Sequence, residues 1–302
     1  MKRILFALAM LALTLTAGAQ QKLRVTTTIS DLASITREVG GDRVDVTSIG
    51  RGYQDSHFIE PKPSFLMLLR NTDLLEVVGL ELEIGWLPPL LDQSRNNNIR
   101  PGQKGYLDLS QGVEILDRPT GTVTRAMGDV HPLGNPHYWL DPANGVRIAR
   151  QVRNKLVELR PQDQAYFDQR LNTFIVKLND ANKRWMAAMA PYKNAKIVTY
   201  HNSWPNFAKH FGLNVVGYVE PKPGVPPSPS HSFELVNMMK AQSVKVIAME
   251  PYFDQKDPQF IAAKTGAQVL VLYPSVGGAK SGTDDYFQLF DLNIANLIKA
   301  LK

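Results

Sequence analysis

Residues 161–189 read PQDQAYFDQRLNTFIVKLNDANKRWMAAM, and this stretch decides the fold. Within it Phe167, Leu171, Phe174, Leu178, Ala181, Trp185 and Ala188 recur at alternating steps of four and three, the spacing of one apolar stripe on an α-helix. Pro161 suits a first-turn position, where its missing N–H is not needed. A single helix over Pro161–Met189 would be about 40 Å long at 1.5 Å per residue, enough to run along two lobes. Two shorter helices packed within one lobe are the competing arrangement.

On both sides of this stretch, short β-rich runs alternate with helical sequence, the order of a parallel sheet covered by helices. Before it, strands are expected at Leu23–Thr28, Arg43–Ile49, Leu74–Val78 and Tyr106–Leu109. Between them, a helix capped by Ser30 or Asp31 carries Leu32, Ile35 and Val39 on one face and ends at Gly40-Gly41. Ser64–Arg70 and Leu82–Leu91 also read as helical, the second ended near Pro88-Pro89. The Gly- and Pro-rich run from Gly121 to Pro142 marks a lobe boundary. After Pro191, strands are expected at Lys196–Tyr200, Asn214–Tyr218, Val244–Met249 and Gln268–Leu272, with a closing helix over Tyr286–Leu301. The fold class is therefore α/β, with two lobes whose parallel-rich sheets are joined by a single long helix. The expected division is a leader at 1–19, an N-terminal lobe at 20–142, a helical linker at 143–190 and a C-terminal lobe at 191–302.

The leader has Lys2 and Arg3, an apolar run from Ile4 to Leu15 and a small-residue ending Ala17-Gly18-Ala19, the pattern of a secretory signal peptide cut after Ala19. The apolar run is shorter than the roughly 20 residues needed to span a bilayer. None of the 302 residues is cysteine, which excludes disulfides, thiolate metal sites and lipid attachment at a leader cysteine. The expected location is the periplasm, as a free monomer that is not a lipoprotein. The net charge of +6 falls by two when Lys2 and Arg3 leave. No basic run carries interleaved aromatics, so nucleic acid is not an expected partner.

Six histidines remain to be explained. His57, His137 and His201 lie just beyond expected strands or in Pro-rich loops. Ligands of open α/β sheets bind outside the carboxyl ends of the strands, where such loops converge. Neutral imidazole suits Zn²⁺, and three such ligands leave one coordination position for a carboxylate or water. Glu250, at the end of a strand, is the carboxylate that reaches the same crevice, as a direct ligand or as a partner orienting an imidazole. Asp284 and Asp285 read as N-terminal residues of the last helix. His210 reads as a solvated helix residue, His231 as a helix-start residue, His131 as an ordinary exposed loop residue with first capture of metal as the lesser alternative, and Glu60 as loop support or a surface carboxylate. Pro221–Pro227 reads as a stiff connector at the cleft rim. Gly277-Gly278 lacks the order of a phosphate loop, and Ser203 has no triad partner.

The segments DSHFIEPKPS (55–64), NPHYWLDP (135–142) and HNSWPNFAKHFGL (201–213) resemble the metal-site segments of the zinc and manganese solute-binding proteins of ABC transporters. The resemblance covers nearly the whole mature chain, and NPHYWLDP is its most specific part. It implies two α/β lobes on one rigid helix, metal in the cleft between them, and delivery to a membrane permease. Residue by residue, His57, His137 and His201 match the family's first three ligands. Manganese-selective relatives have a glutamate-like third position, so His201 favours zinc, as the preference of harder Mn²⁺ for oxygen also does. Many relatives carry an aspartate just after the last strand, whereas here that stretch is LYPSVGG (272–278), without a carboxylate. The expected function is high-affinity Zn²⁺ binding for import, with Mn²⁺ or another divalent transition metal as the lesser cargo. A zinc hydrolase or hydratase using the open coordination position and a metal-linked adhesin are the alternatives.

Overall fold

The computed structural model describes residues 21–121, 123–124, 128 and 130–302. The expected signal peptide lies outside them. Among the described residues, eight strands form two four-stranded, wholly parallel sheets. The first contains β1 (Leu23–Thr27), β2 (Val44–Ser48), β3 (Leu74–Val77) and β4 (Tyr106–Asp108) in the order β2-β1-β3-β4. The second contains β5 (Lys196–Thr199), β6 (Asn214–Tyr218), β7 (Val246–Met249) and β8 (Gln268–Val271) in the order β6-β5-β7-β8. The two lobes thus repeat one topology. In each, the strand order reverses beside the first strand, and the crevice at that switch point lies beyond the carboxyl ends.

The helices are α1 (Ser30–Gly40), α2 (Pro63–Arg70), α3 (Leu87–Ser94), α4 (Pro142–Leu159), α5 (Gln164–Met189), α6 (Pro205–Phe211), α7 (Pro229–Ala241), α8 (Lys256–Thr265) and α9 (Tyr286–Leu301). Proline stands in the first turn of α2, α3, α4, α6 and α7, where its fixed φ is already helical. This overturns the expected ending at Pro88-Pro89: the prolines open α3, and residues 80–86 form turns before it. Ser30 and Asp31 do not cap α1 either, since Ile29 holds the cap position without a side-chain bond. Both turn to the other lobe instead. Ser30 Oγ donates to the Val276 carbonyl at 2.6 Å, and Asp31 Oδ1 accepts the Val276 N–H at 3.2 Å. No described helix is long and apolar enough to cross a membrane.

The long helix is α5, 26 residues, preceded by a 3-10 turn over Pro161–Asp163. It buries Phe167, Leu171, Phe174, Leu178, Ala181 and Trp185 as the spacing requires, with Met189 rather than Ala188 as the last member of the stripe. Its N-terminal half sits against the first lobe, where Arg170 Nε donates to the Glu38 carbonyl. Its C-terminal half holds the second, where Trp185 stacks on Phe290 at 4.9 Å and donates to Asp291. One continuous apolar cluster therefore runs from β1 and α1 through α4 and α5 to α9 and β7. Separate clusters lie on the outer face of each sheet, under α2 and α3 in one lobe and α7 and α8 in the other. A shared core of this kind resists wide hinge motion, because packed interiors do not deform continuously.

Candidate metal centre

The carboxyl ends of both sheets face one cleft, and the loops there bring His57, His137 and His201 together. One ligand nitrogen from each lies within 4.8 Å of the other two. The ring centroids are 5.2 Å apart for His57–His137, 5.3 Å for His57–His201 and 5.6 Å for His137–His201. All three side chains are buried. His137 and His201 line a cavity of about 60 Å³ with Asp117, Val130, His131, Asn135, Asn202 and Pro223, and His57 lines an adjoining one of about 220 Å³ with Phe58, Leu82, Ile84 and His131.

Each imidazole is aimed by an oxygen on its Nδ1. In the loop after β2, Asp55 Oδ1 accepts both the backbone N–H of His57 at 3.0 Å and Nδ1 at 2.7 Å. Two residues before His137 the same device recurs with a neutral group, as Asn135 Oδ1 meets the His137 N–H at 3.0 Å and Nδ1 at 3.1 Å. His201 follows β5 by two residues, and its Nδ1 bonds Glu220 Oε2 at 2.7 Å, just beyond β6. An oxygen on Nδ1 fixes the tautomer that leaves Nε2 with a lone pair. His57 Nε2 is buried and has no hydrogen-bond partner, an arrangement that costs stability unless something fills it. The donor set, imidazole with carboxylate support, fits a borderline divalent cation.

The segment 135–142 locks this geometry from both lobes. Tyr138 Oη donates to the Val78 carbonyl at 2.7 Å, and Trp139 Nε1 to the Pro274 carbonyl at 2.8 Å. Asn135 Nδ2 spans the cleft to the Asn202 carbonyl at 2.8 Å. Asp141 caps α4 through the Ala143 N–H at 2.7 Å and receives Nδ1 of His210, also at 2.7 Å. The other nitrogen of His210 meets Asn182 of α5 at 2.7 Å. His210 is therefore a tie between α4, α5 and α6, and the expectation of a solvated helix residue is corrected.

Burial, with the charges of His57 and His201 adding to it, holds the His137 imidazole well below its ordinary value. Burial also pushes His201 down, but the Glu220 hydrogen bond and the charges of Glu250, Glu220 and Asp55 raise it above 6.5 overall. Asp55 is half-buried, which pushes its carboxyl up, yet its bond to His57 and that ring's charge hold it below its ordinary value.

Glu250 follows β7 and is fully buried. Its Oε1 accepts from Trp204 Nε1 at 3.0 Å, it is not in the histidine group, and Glu220 is the residue that orients His201. Burial pushes its carboxyl up to about 7 against the pull of His201 and Ser203. Glu60 is exposed. Asp285 caps α9 by accepting from Phe287 and Gln288, both at 2.8 Å. Ser228, through its bond to the His231 N–H, caps α7, and His231 Nε2 meets the Tyr218 carbonyl at 3.0 Å. Pro221 and Pro223 do line the cleft rim.

His131 is more than an exposed loop residue. Its ring lies 5.2 Å from that of His57, and burial with the charges of His57 and His201 pushes it down to about 3. Sequence reasoning passed over Asp55, Asn135 and Glu220 as orienting groups. The first two carry a local signal, an Asx two residues before a histidine in each of two loops. Glu220 shows only as a carboxylate just beyond a strand.

Comparisons with known proteins identify what the chain is similar to. The family described as "ZnuA: Zinc-uptake complex component A periplasmic" matches residues 25–300. The chain is 25% identical to the metal ABC transporter substrate-binding lipoprotein FimA of Streptococcus parasanguinis, covering 99% of this chain and 95% of that protein. It is 24% identical to the high-affinity zinc uptake system protein ZnuA of Bacillus subtilis, covering 91% and 86%, and 24% identical to the manganese ABC transporter substrate-binding lipoprotein PsaA of Streptococcus pneumoniae, covering 94% and 90%. Among solved structures, a crystal structure of ZnuA superposes with a TM-score of 0.77 at 25% identity, over 93% of this chain and 100% of the other. The Mn-bound periplasmic metal-binding protein of Candidatus Liberibacter asiaticus, at 20% identity and a TM-score of 0.77 over 93% and 100%, shares the fold. By the span of the family match and the two-lobed architecture, the chain belongs to the ZnuA family of metal-binding solute-binding proteins of ABC transporters, which bind metal for uptake and are not enzymes.

Proposed function

We propose that the protein is a periplasmic zinc carrier that holds one Zn²⁺ through Nε2 of His57, His137 and His201 and hands it to the permease of an ABC transporter. The observation that carries this reading is the convergence of three buried imidazoles, each with an oxygen on Nδ1. Three nitrogen donors favour zinc over the harder Mn²⁺, which prefers oxygen. Asp55 and Glu220 place two carboxylates around the imidazoles, opposite in charge to the dication.

The function is capture and release, without bond chemistry. His57 and His137 come from the first lobe and His201 from the second, so a bound ion joins the two. The shared core along α5 limits opening, and release depends on the permease disturbing a loop or on protons competing for the imidazoles.

The test is metal analysis of the purified protein, followed by competitive titration of Zn²⁺ and Mn²⁺ against wild type, His57→Ala, His137→Ala and His201→Ala. One zinc per chain, tighter than manganese and weakened in every variant, is the expected result. Equal zinc affinity in all four proteins contradicts the assignment. Tighter manganese binding assigns the cargo to manganese.

A further inference from the structure

Of the three histidines, His57 has the least regular structure around it. His137 is followed directly by a 3-10 turn and α4, and His201 stands two residues past β5, whereas residues 49–62, between β2 and α2, form neither helix nor strand. An irregular stretch of that length holds a ring in one direction only when other elements grip its backbone.

The grip comes from the turns before α3. Trp86 is buried, and its Nε1 donates to the Ser56 carbonyl at 3.0 Å. The Ser56 carbonyl and the His57 N–H belong to one rigid peptide plane, and Asp55 Oδ1 accepts from that N–H at 3.0 Å. The plane that carries His57 is therefore bonded on both edges, once within its own loop and once from outside it. Ile59 continues the attachment, because it packs in the same apolar cluster as Trp86 and Leu87. Gly85 passes close by as well: a Cβ there would lie 3.7 Å from the His57 carbonyl oxygen.

Trp86 is itself held by Glu83. The Glu83 carbonyl accepts the N–H of Trp86 at 3.2 Å and that of Leu87 at 2.9 Å, where α3 begins. Its buried carboxyl accepts from Thr28 Oγ1 at 2.6 Å, just beyond β1, and from the N–H groups of Val78 at 2.7 Å and Gly79 at 3.2 Å, just beyond β3. To bring that carboxyl back onto backbone upstream of it, the chain turns through Gly79, Leu80 and Glu81, all with left-handed φ, at 79°, 53° and 65°. Leucine and glutamate adopt such φ only where their surroundings impose it. A path of hydrogen bonds thus runs from the ends of the two central strands, through Glu83 and Trp86, to the peptide of His57.

We propose that Glu83 and Trp86 are positioning residues for the metal site, aiming His57 from outside its own loop although neither belongs to the histidine group. This rests on the three-histidine reading above.

A double-mutant cycle on the full chain tests it, read by competitive Zn²⁺ titration of wild type, Trp86→Phe, His57→Ala and the double variant. Trp86→Phe keeps a ring in the cluster and removes the donor. It is expected to weaken zinc binding about tenfold, and to cause no further loss when added to His57→Ala, because no ring remains to be aimed. Glu83→Gln, which turns one of two accepting oxygens into a donor, is expected to follow the same pattern with a loss of about threefold or more, and it carries the test where Trp86→Phe does not fold. Wild-type affinity in either variant overturns the proposal. So does an equal fold loss with and without His57, the result that a residue merely stabilising the lobe produces. His57→Ala that binds zinc as wild type does contradicts the three-histidine reading, and this proposal falls with it.

Discussion

At the scale of single residues, the partners of the three histidines differ in a way that sets their behaviour. Asp55 and Glu220 are carboxylates, whereas Asn135 is neutral and bonds both His137 and the Asn202 carbonyl of the other lobe. Glu220→Gln removes the charge behind His201, and loss of such an orienting group typically costs 10–100-fold in metal affinity. Calorimetric or competitive titration of zinc at pH 7.5 is expected to show a loss in that range, and an unchanged affinity would refute the role of Glu220. The pH dependence follows from the same contacts. Coordination needs neutral imidazole, and His201 is raised above 6.5 while His137 is held well below it. As pH falls, His201 therefore takes a proton first and His137 stays neutral. Zinc affinity is expected to drop about tenfold per pH unit below the His201 pKa, one proton for one ion. In Glu220→Gln the onset moves to lower pH. The three histidines were legible chiefly through the resemblance of the segments 55–64, 135–142 and 201–213, because a strand end or a proline-stiffened loop does not by itself mark a ligand. His131 and His210 were not, because their partners, His57 for one, Asp141 and Asn182 for the other, are brought to them only by the folded chain.

At the scale of elements, α5 and the contact between Gly52 and the 276–278 turn hold the lobes in register. A Cβ at Gly52 would lie 2.0 Å from the Val276 carbonyl oxygen and 2.6 Å from the Gly277 and Gly278 backbone. These neighbours are backbone and cannot swing aside, so Gly52→Val is expected to destabilise the protein by about 1–3 kcal/mol, read by urea unfolding. Wild-type stability in that variant would show that the approach is looser than the geometry gives. Phe174, fully buried on α5, meets Phe287 of α9 at 5.6 Å. Phe174→Ala is expected to cost about 3–5 kcal/mol and to lower both lobes in one transition, because one core serves both. Two separated transitions would contradict a shared core. Strands were the most legible elements, since β-rich runs bounded by turn residues have few other uses, and the stripe on α5 was legible from its period. Helix starts were less so. Pro88-Pro89 signals a helix boundary without saying which side is helical, and Ser30 and Asp31 look like caps until the 276 turn of the other lobe claims them.

At the scale of the whole molecule, burial raises several carboxyls: Asp31, Glu83 and Glu250 to about 7 and Glu76 to about 8. A raised folded-state pKa favours the protonated form. The stability it reflects is present in full below the unfolded value near 4.5 and is lost as pH rises through the folded one. The metal-free protein is therefore expected to lose stability between about pH 5 and 8. Glu76 lies inside the first lobe against Thr36, away from the cluster of histidines that holds the cargo. Glu76→Gln should raise the melting temperature at pH 8 and change it little at pH 5, and an equal effect at both would contradict this origin. The two-lobed plan was legible in the alternation of strands and helices around residues 161–189. That both lobes share one strand order, and that the cleft closes on three imidazoles, depends on contacts between residues far apart in the chain. The most direct measurement of that convergence is anomalous diffraction at the zinc edge from crystals of the zinc-loaded protein. A single peak about 2.0–2.1 Å from Nε2 of His57, His137 and His201 is the predicted result, and a peak bound elsewhere, with those three nitrogens left free, would contradict it.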